Sequence, residues 1–148
     1  MSKKRKTNRI MIIAIAVCYI IYSIFWMHAA MLQMNIDNSA LADGITQLAK
    51  ESTIRNISEL FTYILFLIFC WNTWENMELK KYRVYFIRTG CVILGALALG
   101  IIFSVIQYLL FGVFSNNYMI PVIILIGIMF AVLMLVSGKQ AKKDIEKK

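Results

Sequence analysis

His28 is the chain's only histidine, and Met27, Met31 and Met34 surround it. Methionine spacings of four and three residues put three thioethers along one stripe of a helix. Soft sulfur donors beside an imidazole suit Cu(I), so Met27, His28, Met31 and Met34 are the candidate metal ligands. The competing reading, which the sequence favours, is an interfacial imidazole beside methionines that fill irregular helix contacts. Nothing else has the spacing of a catalytic centre. There is no HExxH, no Gly-rich phosphate loop, no Ser/His/Asp grouping and no clustered carboxylates. No catalytic residue, enzymatic activity or cofactor is expected. Cys18, Cys70 and Cys91 are scattered singly without a CxxC pair, which argues against disulfide exchange.

The elements that carry these residues are apolar. Of 148 residues, 60% are hydrophobic and mean hydropathy is +0.69, above the roughly 45–50% apolar content of soluble domains. From Thr89 to Gly138 there is no Asp, Glu, Lys or Arg. At about 1.5 Å per residue, that stretch is too long for one crossing of a layer roughly 30 Å thick. It divides at Ser115, Asn116 and Asn117 into two spans joined by a polar turn. Two further apolar runs precede it. The chain therefore reads as all-α, a single four-helix transmembrane domain in an antiparallel bundle.

In chain order, the reading gives a basic tail (1–9), a first span (10–32), an outer loop (33–58) and a second span (59–75). A basic link (76–84), a third span (85–111), an outer turn (112–117), a fourth span (118–136) and a basic tail (137–148) follow. Fourteen of the sixteen Lys and Arg lie in three clusters flanking the spans, at 3–9, 80–88 and 139–148. That distribution predicts both termini and the central link on the cytoplasmic side. It also assigns the net charge of +8 to anionic lipid head groups rather than nucleic acid. The first run is too long for a signal-peptide core and is expected to remain uncleaved. In the outer loop, Leu41, Ile45 and Leu48 follow helical spacing after candidate N-caps Asp37 and Ser39, which predicts a short amphipathic helix at the outer surface. Trp71 and Trp74 end the second span as an aromatic belt, and Pro121 opens the fourth.

Small residues suggest how the last two spans meet. Ala96, Gly100 and Ser104 recur every four residues, as do Gly127 and Ala131. Reversal at the polar turn puts Ser104 level with Gly127 and Gly100 level with Ala131. Small-xxx-small ridges let backbones approach closely in lipid, and these five positions are the expected helix-packing residues.

The MxxxM spacing in a membrane helix resembles that of copper transporters. Those proteins have three spans and methionine-rich outer N-termini, and this chain departs from both features. No Asp, Glu or Lys falls near the middle of a span, because Glu59, Glu75 and Arg88 are read near helix ends. Proton-coupled transport usually needs a carboxylate there. The function expected is therefore a non-enzymatic accessory protein that binds a membrane protein or membrane-active peptide within the bilayer. Immunity proteins against pore-forming bacteriocins are similar in architecture, being small, basic and polytopic. The alternative is a small transporter or channel subunit working as a homo-oligomer. Ile- and Lys-rich composition resembles chains from AT-rich bacterial genomes and points to a bacterial cytoplasmic membrane.

Overall fold

The computed structural model describes residues 3–35, 41–76 and 82–145, with side chains over 7–32, 44–76 and 82–139. The described chain is all-helical: α1 (Lys3–Asn35), α2 (Leu41–Glu75), α3 (Tyr82–Phe111) and α4 (Ile120–Ile145), with a 3₁₀ turn at Asn117–Met119 leading into α4. Four helices are long and apolar enough to span a membrane, over Thr7–Leu32, Gly44–Glu75, Tyr82–Phe111 and Asn117–Lys139. Large apolar side chains cover the outside. Leu109 and Met134, for example, are 74% and 76% exposed, an arrangement suited to hydrocarbon as solvent.

The α1–α2 pair is the most extensive contact in the molecule. Met11 meets Asn72 near one end and His28 meets Glu51 near the other, so the two helices run antiparallel over most of their length. The end at which α1 stops, α2 begins and the 3₁₀ turn lies is the loop end, and the opposite end is the tail end. Ile15 and Tyr19 of α1 and Phe66, Phe69 and Cys70 of α2 belong to one buried cluster with Ile93 and Ala96 of α3 and Leu125 and Met129 of α4.

Three buried hydroxyl side chains are satisfied within their own helices, whereas that of Thr73 has no hydrogen-bond partner among the described residues. Ser23, Thr62 and Thr89 donate to the carbonyls of Tyr19, Ser58 and Tyr85, each four residues back. That local bond lets a polar residue occupy an inward position without an orphaned group.

Three expectations need correction. Residues from Leu41 onward are not an outer loop with a separate short helix: α2 runs unbroken to Glu75. Its inward stripe continues through Glu51, Ser58, Thr62 and Phe66 at helical spacing, and no proline interrupts it. Asp37 and Ser39 lie outside the described residues. Trp74 is buried rather than in a belt, packing edge-on to Tyr85 at 5.9 Å.

The third correction concerns the small residues. Ala96, Gly100 and Ser104 are buried, but Gly127 and Ala131 are exposed, and nothing lies within 4 Å of where a Gly127 Cβ would stand. The ridge on α3 faces Tyr19 of α1 and the 3₁₀ turn instead, while α4 lies more against α2 than against α3. The turn causes this. Gly112, at φ 70°, ends α3 in the left-handed region that suits glycine. The chain to Met119 then folds back over the end of α3 before α4 begins.

Candidate functional site

The chemistry-bearing side chains gather between α1 and α2 in their loop-end halves. Gln47, Glu51, Arg55, Glu59 and Tyr63 recur every four residues along α2, which aligns them on one stripe. Opposite them on α1 stand His28, Trp26 and Tyr22. His28 Nδ1 lies 2.9 Å from a Glu51 carboxylate oxygen, and Gln47 donates to the same carboxylate at 3.2 Å. The Glu51 side chain is 11% exposed and the imidazole 40%. One turn deeper, the Arg55 guanidinium stacks on the Trp26 ring, 3.9 Å from its centroid. One turn deeper again, Tyr63 donates its hydroxyl to Glu59.

The stripe adjoins a second polar group centred on the 3₁₀ turn. Tyr19 and Tyr22 donate to the carbonyls of Tyr118 and Asn117. Tyr118 donates to Gln107 Oε1 at 2.6 Å, and Ser104 to the Ser115 carbonyl at 3.0 Å. Two tyrosines of α1 thus hold the α3–α4 connection against the bundle. Away from this region, Tyr85 donates to the Met129 carbonyl at 3.0 Å.

Of the metal-ligand candidates, Met27, His28 and Met31 are half-buried near the loop end of α1, and the Met34 side chain lies outside the described residues. The imidazole nitrogen facing α2 is engaged by Glu51. Among the described residues, no three His, Cys, Asp or Glu side chains come together.

The sequence reading missed Glu51, Arg55 and Glu59 as members of one site. It put Glu59 at a helix end, whereas Glu59 stands in the middle of a 35-residue helix. The four-residue recurrence from Gln47 to Tyr63 was the available signal. Splitting it between an outer loop and a span hid it.

These residues define a class no narrower than a polytopic all-helical chain with an ionisable stripe between its first two helices. Compared with known protein families, with curated proteins and with solved structures, the chain matches none.

Proposed function

We propose that this chain is a non-enzymatic accessory membrane protein that binds a partner within the bilayer, another membrane protein or a membrane-active peptide. The half-exposed flank of the α1–α2 stripe is its contact surface. The carrying observation is the position of Glu59. Counted at about 1.5 Å per residue from Glu75, where the candidate span ends, Glu59 stands about 24 Å along α2, inside a layer roughly 30 Å thick, and Arg55 stands near its far boundary. Both side chains are only half-buried, and no ion pair joins either to another described residue. A charged group at hydrocarbon depth costs on the order of 3 kcal/mol on insertion scales. A partner bringing polar groups to that flank removes much of this cost. Most other polar side chains at that depth are already satisfied within the chain, as at Tyr22, Ser104, Gln107 and Tyr118.

A photoreactive phenylalanine analogue at Leu60, which is exposed beside Glu59, tests the reading in native membranes. The expected result is one adduct of defined mass that is lost in Glu59→Gln and not formed from Ile123 on α4. The competing reading, a transporter or channel subunit in a homo-oligomer, draws on the same carboxylate as a cation site. Selective solute flux through the purified protein in liposomes, abolished by Glu59→Gln and without any adduct, would replace the first reading with the second.

The membrane proposed is a bacterial cytoplasmic membrane with both termini and the 76–84 link inside. Support comes from the sequence, where fourteen of sixteen Lys and Arg lie in the clusters 3–9, 80–88 and 139–148 that flank the apolar runs. A phosphatase fused after Lys148 should be inactive and a fluorescent protein there should fold. An active phosphatase reverses the topology.

A further inference from the structure

Glu59 and Arg55 carry opposite charges one turn apart on α2, yet no ion pair joins them. The Arg55 guanidinium is turned toward α1, 3.9 Å from the centroid of the Trp26 ring. The Glu59 carboxylate accepts one hydrogen bond, from the Tyr63 hydroxyl on its deeper side. A carboxylate has about four lone-pair sites, so most of its acceptor capacity is open among the described residues. Both charges act on the Tyr22 hydroxyl of α1, which gathers them about one phenol. That hydroxyl already donates to the Asn117 carbonyl at 3.0 Å and is not the donor Glu59 lacks. Alongside Glu59, Asn56, Leu60, Tyr63 and Leu67 follow helical spacing, and all but the half-buried Tyr63 are exposed. They form a ridge against which a further helix can pack.

We propose that the partner is a transmembrane helix carrying a lysine or arginine at the depth of Glu59, whose cation pairs with that carboxylate. The proposal rests on the partner-binding reading above and gives the partner its charge. Charge complementarity decides the sign: the open group on this flank is an anion, and Arg55, engaged by an indole face, does not neutralise it. The cation arrives on a helix because backbone at hydrocarbon depth satisfies its own hydrogen bonds only in helices or closed barrels. A lone cation on such a helix carries a cost like that of Glu59, so pairing relieves both chains at once. Arg55 sets the register. One turn nearer the loop end, about 6 Å away along the axis, it repels a second cation and confines the partner's to the level of Glu59.

The test uses the full chain with a fluorescent protein fused after Lys148, in phosphatidylcholine liposomes, and synthetic transmembrane peptides carrying an acceptor dye. Each peptide has a leucine–alanine core of about twenty residues. A lysine, glutamine or leucine stands about four residues inside each end, so that either orientation presents it at the depth of Glu59. Energy transfer should show the lysine peptide associating about tenfold more tightly than the leucine peptide, the size of the stronger polar contacts between membrane helices. The glutamine peptide should fall between them. Glu59→Gln, which keeps an acceptor for Tyr63, should bring lysine and leucine peptides to parity. Glu59→Asp should retain a preference, and Arg55→Gln should increase it by removing a repelling charge. No lysine preference, a glutamine peptide that binds as tightly as the lysine peptide, or a preference that survives Glu59→Gln overturns the proposal. The Leu60 photoadduct separates the two levels. An adduct lost in Glu59→Gln without any lysine preference overturns the cation and leaves the partner-binding reading standing.

Discussion

Gly100→Leu is expected to lower the unfolding free energy by about 4 kcal/mol, with overpacking contributing about 3 and a lost hydrogen bond about 1. A Cβ at this position would stand 2.7 Å from the Tyr19 hydroxyl and 3.1 Å from the Tyr118 carbonyl oxygen. The first contact is the far end of a side chain, but Tyr19 cannot swing aside without releasing the carbonyl to which it donates. The second is backbone, held by the Tyr118–Gln107 and Ser104–Ser115 bonds on either side. Leucine at 100 therefore displaces the turn from α1. Gly100→Ala should show the same effect at smaller size. Combining it with Tyr19→Phe should cost less than the two single changes summed, because one hydroxyl is responsible for both losses. Gly95→Ala and Gly127→Ala are the controls: nothing lies within 4 Å of a Cβ at either, so each should be neutral or gain up to about 1 kcal/mol from helix propensity. Titration with sodium dodecyl sulfate in mixed micelles, followed by circular dichroism, reads all of these variants. Wild-type stability in Gly100→Leu would mean that α1 and the turn are not in contact.

Tyr85→Ala has the next largest expected effect, a loss of about 3 kcal/mol, at the low end of the range for large-to-small aromatic changes in soluble cores. The low end applies because lipid supplies no hydrophobic drive between helices, so the loss is of dispersion contacts and one hydrogen bond. Tyr85 is fully buried. Its ring meets Trp74 of α2 edge-on and Phe86 of its own helix, and its hydroxyl crosses to the Met129 carbonyl of α4. It therefore ties α3 to two other helices. Tyr85→Phe should keep the packing and lose about 0.6 kcal/mol, the mean for hydrogen bonds between membrane helices. Tyr108, on the same helix, is 55% exposed, and its replacement by alanine should change stability by no more than about 0.5 kcal/mol. The same mixed-micelle titration distinguishes the three. Similar losses at Tyr85 and Tyr108 would mean that burial is not what sets the cost.

The helices were legible where a single physical requirement governs them. Long uncharged runs have few uses other than crossing lipid, and Ser115, Asn116 and Asn117 break the longest run where the structure leaves the helix. Pro121, in the first turn of α4 and buried, sits where its missing N–H is harmless. Legibility failed where polarity and helicity part company. Residues 44–58 are polar enough to read as a loop, yet their inward positions are kept in α2 by partners on α1: Glu51 by His28, Arg55 by Trp26. Such pairings join residues more than twenty positions apart, and no local pattern announces them.

Composition and the order of charges suffice for four apolar helices with cations gathered at their ends, because hydrocarbon excludes charge whatever the neighbouring helices do. Which faces meet is a different matter. The α3 ridge of Ala96, Gly100 and Ser104 could equally have met Gly127 and Ala131. The fold-back after Gly112 and the reach of two tyrosines from α1 send it elsewhere. In lipid, one close apolar contact is worth nearly as much as another. The choice therefore falls to the groups that must find a hydrogen-bond acceptor, and where those acceptors lie exists only once the helices have come together.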